Sequence, residues 1–172
     1  MAYTTPRTWA AGERPTAAQF NQDIRDNVAF LANPPACRVT ETANQSLTNN
    51  TLTDLTFGSE TYDTDAMHST SSLTERITIS TAGLSLVNGY ATFATDTDIT
   101  EVLLRILVDG TTDIGQHRVA GTLSGFEILS VTGVYKFTAA QYVTLNARQV
   151  NTSAGANNVS IRAFSATWIG LG

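Results

Sequence analysis

The chain opens with a helical hydrophobic pattern that stops near residue 35. Between residues 15 and 35, apolar side chains recur every three or four positions, which is the period of one face of an α-helix. These positions are Ala17, Phe20, Ile24, Val28 and Leu31. Gln22, Asp23 and Asp26 fall on the other face. The pattern therefore predicts one short amphipathic helix.

Local signals predict where this helix begins and ends. Thr16 and Gln19 have the spacing of a capping box, in which each side chain bonds the backbone N–H of the other residue. Asn33 is followed by Pro34 and Pro35, and two successive prolines cannot continue a helix. We therefore predict an N-terminal docking arm over residues 1–35 and a separate domain over residues 36–172.

After residue 35 the hydrophobic period becomes two, which is typical of β-strands. Long runs rich in β-branched and aromatic residues cover 72–80, 83–94, 99–109, 125–137, 141–150 and 158–170. Shorter strands are expected near 37–42, 51–57 and 113–120. Asp109-Gly110 lies where a hairpin turn belongs, and Asn88-Gly89 marks a bulge or a tight contact. About eight to ten strands with no helix between them predict an all-β antiparallel sandwich or barrel.

Composition argues against several classes of function. The net charge is −5, and because residues 1–35 are balanced, the whole deficit lies in residues 36–172, where we expect no nucleic-acid partner. No segment approaches the roughly 18 apolar residues of a membrane helix, and the N-terminus has no apolar run of signal-peptide length. We expect synthesis in a reducing cytoplasm. The lone cysteine, Cys37, is predicted to be a small core residue.

Motifs for catalysis and metal binding are weak, and we expect no enzyme and no cofactor. His68 and His117 have no metal-ligand spacing, and Ser124 is shifted by one position from a nucleophile elbow. Calcium is the remaining alternative, because clustered carboxylates on loops can supply its oxygen ligands. Turns use the same residue types without any ion. The acids concerned are Asp63, Asp65, Asp96, Asp98 and Glu101.

Five segments occur in the order seen in one jelly-roll superfamily. They are FGSETYDTDAMHS, RITISTAGLSLVNGYATF, LRILVDGTTDIG, QYVTLNARQV and FSATWIG. Over roughly residues 50–170 the chain resembles the globular head of the complement recognition component and the tumour-necrosis-factor cytokines. It resembles more closely the versions of that domain in bacteriophage structural proteins. The resemblance implies an antiparallel jelly roll that assembles as a homotrimer.

The segment PRTWAAGERPTAAQFNQDIRDNVAFL resembles a stretch at the front of many phage virion proteins. This second resemblance implies that the chain is assembled into a virion in the cytoplasm of a host bacterium. It also implies that the N-terminal end binds other virion proteins of the capsid or tail.

The apolar stripe of the helix needs a cover, since an isolated helix of this length is marginal in water. It can fold back on its own sandwich or dock on neighbouring molecules. We assign partner docking to Trp9, Phe20, Ile24, Val28 and Leu31. Phe30 falls outside the stripe and is expected to be exposed. Asn27, beside the stripe, reads either as a register-setting residue or as a solvated one.

These observations favour a non-enzymatic virion structural protein. The first reading is a trimeric surface appendage, such as a fibre tip, head fibre or spike, whose jelly roll contacts a glycan or protein on the host surface. The alternative is a capsid decoration protein that cements neighbouring shell subunits. Hundreds of copies per particle would favour decoration, whereas a few trimers would favour an appendage.

Overall fold

A computed structural model describes residues 3–121 and 125–172, and places one helix ahead of two antiparallel sheets. The helix runs without a break through α1 (Ala17–Phe20), a π-helical segment (Asn21–Asp26) and α2 (Asn27–Ala32). We call these three parts together the N-terminal helix. No helix in the described ranges is long and apolar enough to cross a membrane.

The predicted capping box begins the N-terminal helix. The Gln19 backbone N–H donates to Thr16 Oγ1 over 3.3 Å, and the Thr16 backbone N–H donates to Gln19 Oε1 over 2.7 Å. At the other end, Asn33 leaves the helical conformation, and Pro34 and Pro35 lead into the first strand. Both ends of the helix are therefore where the sequence predicts them.

Eleven strands follow within the described residues. They are β1 (Ala36–Glu41), β2 (Gln45–Leu47), β3 (Thr53–Asp54), β4 (Ser59–Asp63), β5 (Arg76–Thr78), β6 (Gly83–Phe93), β7 (Ile99–Val108), β8 (Thr112–Ala120), β9 (Glu127–Phe137), β10 (Tyr142–Asn151) and β11 (Asn157–Gly170). The prediction of an all-β antiparallel sandwich is confirmed. The two unpredicted strands, β2 and β4, are too short or too exposed to show alternating hydrophobicity.

The strands form two sheets with an apolar core between them. Sheet A has the order β4-β1-β11-β6-β9, with β2 also paired to β11. Sheet B has the order β3-β10-β7-β8, with β5 also paired to β10. Along β6, buried and partly buried residues alternate without interruption from Gly83 to Phe93, so every second side chain enters the core. The other side chains form the outer face of the sheet.

Cys37 lies in this core with no exposed surface, as predicted. Burial raises the pKa of its thiol to about 12, and the negative charges of Asp63 and Glu60 add to the effect. Because a thiol attacks as the thiolate, Cys37 is inert at neutral pH in the folded chain.

The two predicted turn positions differ in kind. Asp109 and Gly110 have φ angles of 49° and 69°, as a type I′ hairpin turn requires, and they join β7 to β8. Gly89 marks a tight contact and not a bulge, because its strand pairs with β9 in unbroken register. A Cβ atom at Gly89 would lie 2.5 Å from Leu145 Cδ1, across the core.

We predict that Gly89→Ala destabilises the sandwich by about 1–3 kcal/mol, because the added methyl overpacks the core against Leu145. Urea denaturation measures the change in the free energy of unfolding. Gly170→Ala is the matched control in a strand, since its added methyl meets no atom of the described residues within 4 Å, and it should leave stability nearly unchanged. Equal effects of the two variants would contradict the close packing at Gly89.

Candidate docking surface

One face of the N-terminal helix is buried by the residues that precede it. Asn27, which is 5% exposed, binds both backbone groups of Thr4. Its Nδ2 donates to the Thr4 carbonyl oxygen over 2.7 Å, and its Oδ1 accepts from the Thr4 N–H over 2.9 Å. One amide side chain thereby satisfies both peptide groups of an extended segment.

Asp23 holds the same segment one helical turn earlier. The Arg7 Nε–H donates to Asp23 Oδ2 over 2.6 Å, and the Asp23 side chain is nearly buried. The Arg7 guanidinium also lies 5.2 Å from the centre of the Trp9 ring, within cation–π range. We call the Asn27–Thr4 and Asp23–Arg7 contacts together the N-terminal clamp.

Phe30 fixes the helix to the sandwich. Its ring meets the Trp168 ring edge-on, with centroids 4.8 Å apart and planes at 81°. Tyr3 lies near the same ring, with centroids 6.2 Å apart. Trp168 is itself held by two bonds, from its indole N–H to the Ala82 carbonyl and from its backbone N–H to the Pro35 carbonyl. The helix therefore has a defined position at one end of sheet A.

The expectations for Asn27 and Phe30 are wrong, and Asp23, which the pattern places on the polar face, is buried with them. Asp23 and Asn27 are buried and bonded within the chain, and Phe30 is 2% exposed. The reason is that residues 3–9 lie along the helix and turn its polar face inward. The sequence does contain a signal, because Asp23, Asn27 and Phe30 recur at spacings of four and three, and so share a helix face.

The apolar stripe lies beside this buried face, and the described residues leave it about half exposed. The four large residues of the stripe, Phe20, Ile24, Val28 and Leu31, are 48–59% exposed, and Trp9 is 39% exposed. Trp9, Phe20 and Ile24 line one shallow groove of about 240 Å³ together with Glu13 and Pro15.

The structure thus brings three of the five predicted docking residues into one groove, and Val28 and Leu31 continue the same stripe along the helix. We call these five residues the docking surface. The π-helical segment carries Ile24 and widens the turn between Phe20 and Asn27. Such segments are rare and are frequently found at functional sites.

The acids considered for calcium serve bonds within the chain. Asp63 accepts from the backbone N–H groups of Asp65, Met67 and His68. Asp96 accepts from the Asn151 side chain over 2.7 Å. Within residues 3–121 and 125–172, no three His, Cys, Asp or Glu side chains converge in the arrangement that a metal ion needs.

Glu101 is paired with two arginines, Arg118 and Arg148. Burial pushes the pKa of this carboxyl upward, but the hydrogen bonds and charges of the two guanidinium groups outweigh burial and hold the pKa below its usual range. These three side chains link β7 to β8 and β10 on the outer face of sheet B.

The two histidines considered for catalysis also contact polar groups within the chain. His68 Nδ1 lies 3.0 Å from Glu60 Oε1, and its Nε2 lies 3.3 Å from the Thr74 carbonyl oxygen. His117 Nδ1 lies 3.1 Å from the Ser130 carbonyl oxygen, where β8 approaches β9. Ser124 lies outside the described residues.

Comparison with known proteins supplies the fold but no family. No protein-family model matches the chain, and no curated protein matches it. Among solved structures, the chain is similar to the globular domain of zebrafish complement 1qA protein. The TM-score is 0.58 at 14% identity, over 80% of this chain and 99% of that chain. This likeness and the two antiparallel sheets confirm the predicted jelly-roll fold.

We predict that Asn27→Ala releases the Thr4 segment, because both hydrogen bonds to Thr4 are lost. Exchange of the Thr4 backbone amide hydrogen should accelerate on the order of ten- to a hundredfold, since each bond contributes about 1 kcal/mol. Amide exchange followed by NMR measures the rate. The exposed neighbour variant Gln22→Ala should leave the rate unchanged, and acceleration of similar size in both variants would contradict the clamp.

We predict that Glu101→Gln lowers stability at pH 7 by about 1–3 kcal/mol, because charge-assisted bonds to two arginines are weakened. A carboxyl whose folded pKa is lowered stabilises the fold above its unfolded pKa, and the contribution disappears as the pH falls through the folded pKa. The difference between Glu101→Gln and the wild type should therefore shrink below about pH 4. Denaturation over pH 2–7 measures it, and a constant difference across that range would contradict the pairing.

Proposed function

We propose that this protein is a non-enzymatic structural protein of a phage virion, a homotrimeric appendage anchored to the particle by its N-terminal arm. The observation that carries the proposal is the docking surface, an apolar stripe that the described chain leaves half exposed on a helix held in a defined position. The jelly roll then faces outward and contacts the bacterial surface.

The clamp supports a docking role because it preorganises the stripe. Asn27 and Asp23 hold the preceding segment, and Phe30 holds the helix on Trp168, so docking orders few additional residues. Preorganisation of this kind raises affinity by lowering the entropy lost on binding. A helix that only capped its own sandwich would turn the stripe toward the sheets.

The exposed apolar area of the stripe is large enough to stabilise a complex by several kcal/mol. Complete burial stabilises a side chain of the size of Val, Leu, Ile or Phe by about 1.5–3 kcal/mol, so covering the exposed half of four such side chains contributes on the order of 3–6 kcal/mol per chain. A trimer presents the stripe three times, and multivalent attachment strengthens binding further.

The outer face of sheet A supports trimerisation. Leu86 on β6 lies directly opposite Val134 on β9, and Ile128 occupies the same face two residues beyond Ser130. Val134 and Ile128 are 51% and 65% exposed. Such apolar side chains favour contact between copies of the chain, as in homo-oligomer interfaces.

We predict that Phe20→Asp combined with Ile24→Asp abolishes incorporation into the particle while hardly changing the melting temperature, because both residues are exposed in the isolated chain. Mass spectrometry of purified particles measures incorporation, and calorimetry measures melting. Sedimentation should give three chains per assembly for wild type and variant alike.

The matched control is Ala18→Asp combined with Gln22→Asp, which places the same charge at exposed positions of the helix outside the stripe. The control should incorporate normally. Normal incorporation of the Phe20/Ile24 variant would refute the docking role. Loss of the trimer in that variant would instead make the stripe a contact between protomers.

Copy number separates the appendage from capsid decoration. We expect a few trimers per particle by quantitative mass spectrometry. Hundreds of copies would favour a decoration protein that cements neighbouring shell subunits through the same stripe.

A further inference from the structure

The outer face of sheet B carries an arginine patch. Four of the ten basic residues of the chain lie there, within three successive rows set by the registers of β5, β10, β7 and β8. They are Arg76, Arg105, Arg118 and Arg148. With about 4.8 Å between strands and about 6.8 Å between rows, the patch measures roughly 14 Å in each direction.

Acidic side chains on the same face neutralise only part of this patch. Glu101 pairs with Arg118 and Arg148. Asp54 accepts from Asn146, and Asp113 accepts from a backbone N–H in its own strand. Arg76 and Arg105 take part in none of the ion pairs formed among the described residues.

Thr144 lies between these two arginines. In the sheet register, Arg76 is opposite Thr144, and Arg105 is opposite Asn146, one row further along β10. Thr144 is 2% exposed, yet its hydroxyl has no hydrogen-bond partner among the described residues. Buried polar groups are nearly always bonded, so an unbonded hydroxyl between two arginines without carboxylate partners points to a ligand.

We propose that Arg76, Arg105 and Thr144 bind a carboxylate group of an acidic polysaccharide. The two guanidinium groups donate to the carboxylate oxygens, and the Thr144 hydroxyl adds a third donor. Arg76 now stacks on Tyr142 and Arg105 donates to Asn146, so both side chains are held near the site. Gln116 lies opposite Arg105 in the same row, is exposed, and offers its amide group to sugar hydroxyls.

The charge pattern favours this ligand over nucleic acid. Four arginines face three carboxylates on this surface, and the whole chain carries −5, so a polymer with dense charge is repelled. Duplex DNA carries one charge per roughly 1.7 Å, whereas a uronic-acid polymer carries at most one per sugar. Single strands also need open aromatic faces, and the Tyr142 ring is covered by Arg76.

The absence of apolar anchors argues against a protein partner. Among the described residues, the strongly exposed hydrophobic side chains nearest this face are Leu52 and Leu73, and they lie at its margin, just before β3 and β5, and not among the four arginines. Leu103 and Leu107 are on it, but they are 7% and 4% exposed. Protein interfaces are usually centred on exposed large apolar or aromatic side chains, and the centre of this surface carries arginines instead.

This proposal depends on the proposed function in one respect, because the sugar is a ligand for a jelly roll that faces outward. It is tested on the purified full chain, so a failure of sugar binding and a failure of particle docking are separate results. Calorimetric titration at low salt with oligogalacturonate, oligomannuronate and hyaluronan fragments should detect binding to at least one. The carboxyl-reduced form of the same oligosaccharide should bind at least about tenfold more weakly, because its charge-assisted bonds are lost.

Three variants test the site. Arg76→Gln combined with Arg105→Gln should weaken binding by about tenfold or more, whereas Arg14→Gln combined with Arg25→Gln, which removes the same charge from exposed positions near the N-terminus, should not. Thr144→Val should weaken binding about three- to tenfold while leaving the melting temperature unchanged or higher, because it removes a buried hydroxyl that lacks a partner.

Several results would overturn the proposal. These are no binding to any carboxylated probe, equal binding to the carboxyl-reduced form, or an equal loss in the Arg14/Arg25 control variant. Tighter binding of single-stranded DNA or polyphosphate would replace the sugar with a phosphate polymer. A lowered melting temperature in Thr144→Val with unchanged affinity would make the threonine purely structural.

Discussion

The edge-on contact between Phe30 and Trp168 decides how the N-terminal helix is oriented, and the exposure of the docking surface depends on it. Trp168 is held by the carbonyl groups of Ala82 and Pro35 at the end of the last strand, so the contact ties the helix to a rigid part of sheet A. Once Phe30 is buried, Asn27 and Asp23 on the same helix face are turned toward residues 3–9. The neighbouring apolar stripe then has no sheet to cover it.

Much of the fold could be predicted from periodicity, because a strand with one buried face shows its pattern directly in the sequence. The boundaries of β6, β7, β10 and β11 lie within one residue of the expected ones. Strands β2 and β4 could not be predicted, since their short or exposed runs carry no period. The same limit applies to the helix. Hydrophobic spacing identified the stripe, but it could not show that the polar face binds a backbone segment sixteen or more residues earlier in the chain.

The three exposed surfaces of the molecule differ in their chemical character. The helix offers apolar area, the outer face of sheet A offers apolar and small polar residues, and the outer face of sheet B carries arginines around a buried threonine. We propose a different kind of partner for each surface: virion proteins, other copies of the chain and an acidic sugar. A jelly roll allows this division because its two sheets turn their outer faces in opposite directions.

The most direct test of the account compares solvent access to the docking surface before and after assembly. Hydroxyl-radical footprinting, read by mass spectrometry, reports the oxidation of Trp9, Phe20 and Leu31 in the purified protein and in the intact particle. We predict that all three are readily oxidised in the purified protein and strongly protected in the particle. Phe126, which is exposed on the jelly roll, should be oxidised in both samples. Equal oxidation of the three residues in the two samples would contradict the claim that neighbouring molecules cover the stripe.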